Sequence, residues 1–345
     1  MKRIFALLLT LCMALSLCAC GSKDTEQPKN GDDKQQEVTT EPVTLKISIA
    51  ETSTDIKAGV LADMMAEVEQ ATDGRIKFEI YYSNELGSLA DVTEQMTMGG
   101  NILAGTSGDF YADYGCPDIM ACNIQYALPT IEAVNKLNDS ELFASWCDQI
   151  EQASGLKILC CNWASAPRSV LSTKPINSVE DFKGLKIRVP GLAADAFFSN
   201  LGASTMTMPF SDIYTNMSQG MVEAAEAPLS TLYSYSLQEV AKYCYLSEHS
   251  LATSCWAMSA SIWNSLSADD QKILQDALTK YGSIFAEKGL ETQAGFRAEL
   301  ETAGVTFVEP TAEDKATLQK AGFDSFSAFP NMSEGVADEL AKVIA

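Results

Sequence analysis

The chain has 345 residues and a formal net charge of −22, from 24 Lys and Arg against 46 Asp and Glu. That balance argues against nucleic acid or an anionic lipid surface as a partner, because both require a basic face. It leaves room for a small anionic ligand, since a local arginine cluster can dominate the field of its own pocket.

The N-terminus reads as an export signal. Met1-Lys2-Arg3 is basic, Ile4 to Leu17 is apolar, and Leu17-Cys18-Ala19-Cys20-Gly21 resembles a bacterial lipobox, whose cysteine becomes the lipid-modified N-terminus. Residues 1–19 are therefore expected to be a lipoprotein signal peptide, with Cys20 the lipidation site. The apolar run falls short of the roughly 20 residues of a permanent span. Residues 20–42 carry that cysteine and a polar, aromatic-poor stretch that reads as a flexible tether. The expected location is extracytoplasmic, with lipid as the only hold on the membrane. About 300 residues remain for folding, enough for two domains.

In the folded part, Val43, Leu45, Ile47 and Ile49 alternate as a strand, and a helix follows with Leu61, Met64, Met65 and Val68 on one stripe. Ile76, Phe78, Ile80 and Tyr82 give a second strand. Ser88 and Asp91 have capping-box spacing ahead of a short helix to about Met98. Ile102–Ala104 is a third strand, leading into the small residues Gly105-Thr106-Ser107-Gly108. Helical patterns cover 132–137 and 141–153, then a strand covers Leu156–Cys161. Leu185, Ile187 and Val189 alternate as another strand, closed by Pro190. Helices are expected at 192–201 and at 211–219, the second capped by Ser211. Ser267 and Asp270 open a helical pattern that runs to about Thr302 in spite of Gly282, Gly289 and Gly295. A late strand at Val305–Val308 precedes a helical C-terminus. Repeated strand–helix units point to α/β layers with largely parallel sheets.

Ten cysteines include Cys12 and Cys18 in the leader and Cys20 at the lipidation site; the others are Cys116, Cys122, Cys147, Cys160, Cys161, Cys244 and Cys255. No Cys-x-x-Cys spacing occurs, so free buried thiols are expected, with Cys116–Cys122 left open as a bridge. No metal site and no cofactor are written in the chain. A serine hydrolase would have to use His249, the one histidine, yet no Gly-x-Ser-x-Gly elbow is present. Phosphate-loop and dinucleotide fingerprints are missing too. The chain reads as a binding protein, not an enzyme.

Arg188 is the residue best suited to binding. It is the last side chain of its face at the carboxyl end of a strand, the end at which α/β proteins bind ligands, and a guanidinium offers two parallel donors to a carboxylate. From the strand alone, Lys186 and Arg188 could equally form a solvated face. Arg168 lies just beyond the Leu156–Cys161 strand, so two arginines at equivalent strand ends could converge on one carboxylate; alternatively Arg168 bonds carbonyls at a domain edge. Phe210 reads as pocket wall or core, and Trp163 as a ligand-stacking or hinge side chain. Glu51 and Ser107 follow strands of the first domain and could meet a ligand from across the cleft.

Four segments, in order, resemble the DctP-type solute-binding proteins of TRAP transporters. They are Asn84-Glu85-Leu86-Gly87-Ser88; Asp181-Phe182-Lys183-Gly184-Leu185-Lys186-Ile187-Arg188-Val189-Pro190; Met208-Pro209-Phe210-Ser211-Asp212-Ile213-Tyr214; and Leu266-Ser267-Ala268-Asp269-Asp270-Gln271-Lys272-Ile273-Leu274. The resemblance implies a two-domain, periplasmic-binding-protein-like α/β fold with a ligand cleft between the domains and a long domain-spanning helix. It implies a small organic acid as ligand, TRAP permease subunits as partners, Arg188 as the carboxylate anchor, Arg168 as a second arginine and Phe210 as an aromatic beside them. The expected domains are 43–165 with about 254–293, and 166–253 with about 294–345. The family often writes Glu-Asn-Pro where this chain has Glu226-Ala227-Pro228, so an amide that could bond ligand is missing. A binding protein of an ABC importer or a sensor kinase is the nearest rival reading.

Overall fold

The computed structural model describes residues 42–208 and 210–345. Eleven strands run in chain order: β1 Val43–Ser48, β2 Ile76–Tyr81, β3 Ile102–Ser107, β4 Leu156–Ala164, β5 Arg168–Ser172, β6 Lys186–Val189, β7 Ser204–Thr207, β8 Ala224–Pro228, β9 Tyr243–Tyr245, β10 Thr253–Ser259 and β11 Thr306–Val308. They divide into two sheets, of order β2-β1-β3-β10-β4 and β11-β9-β5-β8-β6-β7. The export signal and the Cys20 lipidation site lie outside the described residues.

The expectation of largely parallel sheets needs correcting: both sheets are mixed. β1 is parallel to β2 and β3, but β10 is antiparallel to β3 and β4. In the second sheet β6 is parallel to β7 and β8, while β5 is antiparallel to β8 and β9. The physical reason is connectivity. A helical crossover returns the chain to run parallel, whereas β5 and β10 each enter their sheet through a short segment arriving from the other one. Those two segments, 165–167 and 246–252, run side by side: Ser165 N–H donates to Leu251 O at 2.7 Å and Arg168 N–H to Ser250 O at 2.9 Å.

A third connection is the helix Ala268–Thr302, whose 35 residues reach about 52 Å at 1.5 Å per residue. Near its start, Leu274, Leu278 and Tyr281 pack with Leu61, Met64 and Trp163 under the first sheet. Near its end, Leu300 and Phe296 pack with Leu171 and Ala225 under the second. Ser267 caps it by accepting from Asp270 N–H at 3.1 Å, but the Asp270 carboxylate is taken by Arg75. The C-terminal helix Val336–Ile344 comes back to the first sheet's side, where Val336 and Leu340 join the cluster of Val134 and Trp146.

Two local expectations change. The helix placed at 211–219 spans Ile213–Ser218 after a 3-10 turn, with Asp212 at its cap, and the Ser211 hydroxyl bonds the Asp212 carboxylate instead of the helix. The Cys116–Cys122 bridge does not form: all seven described cysteines are free and buried.

Candidate functional site: a buried arginine beside a cleft

β6 places Arg188 between Met206 of β7 and Ala225 of β8. Its neighbours Ile187 and Val189 enter one core, so alternation sends Arg188 to the opposite face. The solvated-face alternative holds for Lys186, which is exposed, and fails for Arg188, which is 5% exposed. Nε and Nη2 of Arg188 both donate to Met208 O, at 3.0 and 2.9 Å. Its Cζ lies 5.0 Å from the centre of the Phe210 ring, and that ring meets Tyr235 edge-on at 4.5 Å. Nη1 is buried with no partner among the described residues. Burial pulls the guanidinium pKa below its ordinary value; the Glu226 charge opposes this and the Arg168 charge adds to it. A buried cation with an unmet donor is costly, by more than the 1–3 kcal/mol of a neutral one, and an anion at Nη1 removes that cost.

Arg168 is not at the end of β4, as its spacing suggested, but is the first residue of β5. Its Nε and Nη2 clasp both carboxylate oxygens of Glu226 at 2.5 and 2.7 Å, and Nη2 also reaches Glu226 O at 3.0 Å. Glu226 is fully buried. Burial alone would raise its carboxyl pKa, but Arg168 outweighs that and, with His249, holds it down at about 2. His249 Nε2 lies 3.0 Å from the same carboxylate and Nδ1 lies 2.8 Å from the Ser247 hydroxyl. Burial keeps this imidazole below its usual pKa against the pull of Glu226. Neutral His249 therefore donates to Glu226 and accepts from Ser247. Ser247 and His249 are both buried, so this pair does not face solvent.

A cavity of about 280 Å³ opens between the sheets. Ser107, Asn123 and Gln125 line it from the first-sheet side and Arg168, Pro190 and Gly191 from the second, with Ser250 and Ala252 of the crossing segment between them. Of the residues singled out from sequence, Ser107 and Arg168 are on this wall, and Arg188 lies two residues before Pro190 with Phe210 against it. Trp163 is elsewhere: fully buried, stacked on Phe285 at 5.6 Å, with Nε1 donating to Leu278 O at 2.9 Å. Glu51 is half-buried and ion-paired with Lys57, which lies 5.6 Å from the same Phe285 ring. Sequence reasoning passed over Glu226 and its tie to His249. A signal was there: a lone carboxylate inside Ala224-Ala225-Glu226-Ala227-Pro228 cannot be buried without a cation and a donor.

The family model for bacterial extracellular solute-binding proteins, family 7 (DctP), matches residues 47–327. The chain belongs to the DctP family. Among its relatives, the sialic acid-binding periplasmic protein SiaP of Vibrio cholerae is 27% identical over 290 residues, covering 82% of this chain and 87% of that one. A solute-binding protein of Roseobacter denitrificans is 30% identical over 272 residues, covering 78% and 81%. Among solved structures, a TRAP periplasmic solute-binding protein from Roseobacter denitrificans with bound L-galactonate matches with a TM-score of 0.73 at 27% identity, over 89% of this chain and all of that one. One from Ochrobacterium anthropi with bound L-fuconate gives 0.76 at 25% identity, over 88% and 100%. The fold of this DctP-family chain is accordingly the two-domain binding-protein fold, with the cavity in the cleft and the long helix spanning both domains.

Proposed function

We propose that this DctP-family chain is the extracytoplasmic receptor of a TRAP-type transporter, that it captures a small organic acid in the cleft, and that Arg188 anchors the carboxylate. The observation that carries the reading is the Arg188 Nη1 donor, buried and without a partner among the described residues, on the strand that leads into the cavity-lining Pro190. Bound sugar acids in two structural relatives support an acid as ligand. Phe210 packs the guanidinium in place, and Arg168, neutralised by Glu226, contributes its remaining donor. Trp163 and Glu51 act as supports of the first domain, not as ligand contacts. The domains are 43–165 with about 254–293 and the terminal helix Val336–Ile344, against 166–253 with about 294–335. Delivery is to the permease subunits, and Cys20 tethers the receptor by lipid.

Calorimetric titration with a panel of mono- and dicarboxylates, keto acids and sugar acids tests the site. Arg188→Ala abolishes binding of the acid that wild type takes, and Arg188→Lys restores only part of it, because an ammonium lacks the two-pronged geometry. An Arg188→Ala protein that binds as tightly as wild type would overturn the assignment. Metabolic labelling with a radioactive fatty acid, lost in Cys20→Ala, tests the anchor.

A further inference from the structure

The cavity wall opposite Arg168 has a chemistry of its own. Asn123 uses its side chain on backbone: Oδ1 accepts from Gly108 N–H at 2.8 Å and Asp109 N–H at 3.4 Å, and Nδ2 donates to Thr253 O at 3.3 Å. This fixes the turn after β3, so that Asp109 lines the cavity while its carboxylate bonds no described side chain. Gln125 lines the same cavity, is 5% exposed, and its Oε1 is buried without a partner. Ser107 completes this side with a hydroxyl. Facing it, the helix Leu192–Asn200 begins at Gly191 with no side-chain cap, so its first N–H groups and partial positive charge look into the cavity, beside Arg168.

The cleft is thus polarised. Its second-domain wall favours an anion, and its first-domain wall presents a carboxylate, an amide and a hydroxyl. Hydroxyl groups of a ligand suit that second set, since each can donate to the Asp109 carboxylate or to the unpartnered Gln125 Oε1. A second ligand carboxylate does not suit it, because it would lie desolvated against Asp109.

We propose that the ligand is a monocarboxylate bearing several hydroxyl groups at the end away from its carboxylate, and that Asp109 and Gln125 select it against dicarboxylates and unhydroxylated acids. This rests on the carboxylate-receptor reading above and names the substrate class within it. Asp109 acts twice, as acceptor for the wanted hydroxyls and as repellent for an unwanted second acid.

The test uses the full folded chain and matched six-carbon acids in calorimetric titration. Gluconate and galactonate carry hydroxyls and one carboxylate; glucarate and galactarate add a second carboxylate; hexanoate lacks hydroxyls. Wild type is expected to bind at least one aldonate a hundredfold or more tighter than its matching aldarate and than hexanoate. Asp109→Asn is expected to weaken the aldonate and narrow the aldonate-to-aldarate ratio at least tenfold, and Gln125→Leu to weaken aldonates while leaving hexanoate unchanged. Circular dichroism checks that both variants fold. If an aldarate or hexanoate binds wild type as tightly as its aldonate, or if Asp109→Asn leaves the ratio unchanged, the selection is wrong, and Arg188→Ala still decides whether the carboxylate reading stands. If no organic acid binds wild type at all, both fall.

Discussion

At the scale of single residues, the Glu226–His249 pair sets how the fold answers acid. His249 is held below its ordinary pKa of 6.5 by burial. Below about pH 6.5 the unfolded chain therefore takes up a proton that the folded chain refuses, and stability falls as pH drops. Glu226 acts lower down: its folded pKa of about 2 lies under the unfolded value near 4.3, so its contribution is complete above roughly pH 4.3 and is lost towards pH 2. The expected result is a loss of unfolding free energy between pH 7 and 5 in which His249 contributes a slope of at most about 1.4 kcal/mol per unit. His249→Gln, measured by urea denaturation at both pH values, should be less stable at pH 7 and less sensitive to pH. A variant with the wild-type slope would show that other groups carry it. The strand that carries Arg188 was legible in the sequence because alternation and Pro190 are local signals, whereas the burial of Arg188 on its far face was not. Nor was the partnership of Glu226 with residues 58 and 23 positions away, because the pairing of β5 with β8 brings Arg168 to it and the crossing segment 246–252 brings His249.

At the scale of elements, the long helix explains its own glycines unequally. A Cβ at Gly282 would meet Asn162 Oδ1 at 2.5 Å and Trp163 Cδ1 at 2.8 Å. Both side chains are docked on that helix, Asn162 Nδ2 donating to Thr279 O at 2.8 Å and Trp163 Nε1 to Leu278 O at 2.9 Å. Gly295 is exposed and has nothing within 4 Å of its Cβ position. Alanine gains about 1 kcal/mol over glycine inside a helix, whereas overpacking costs about 1–3 kcal/mol. Gly282→Ala is therefore expected to lower the midpoint of thermal unfolding and Gly295→Ala to raise it slightly. Equal midpoints for the two variants would remove the packing explanation. Helix starts with a local grammar, Ser88 with Asp91 and Ser267 with Asp270, could be read from sequence because the cap bonds lie within one turn. Strand direction could not, because nothing in β5 or β10 records which way its neighbours run.

At the scale of the whole molecule, the two sheets are joined by the segments 165–167 and 246–252 and by the long helix, and the proposed ligand touches walls on both sides of that seam. Size suggested two domains and the ordered family segments suggested a cleft. The return of the terminal helix to the first sheet had no sequence signal, because its amphipathic stripe fits either lobe. A ligand that contacts both walls only when they approach must favour the closed arrangement by the difference in those contacts. Small-angle scattering should show the radius of gyration falling when a binding acid is added to saturation and recovering on dialysis. The same acid at about a hundred times its dissociation constant should add about 2.7 kcal/mol of stability, visible as a thermal shift. Arg188→Ala should show neither change, since it removes the contact that ties the acid to the second domain. Thermal stabilisation of the wild type with an unaltered scattering profile would mean that the acid binds one wall of a cleft that stays as it is, and closure would have to be dropped while the site was kept.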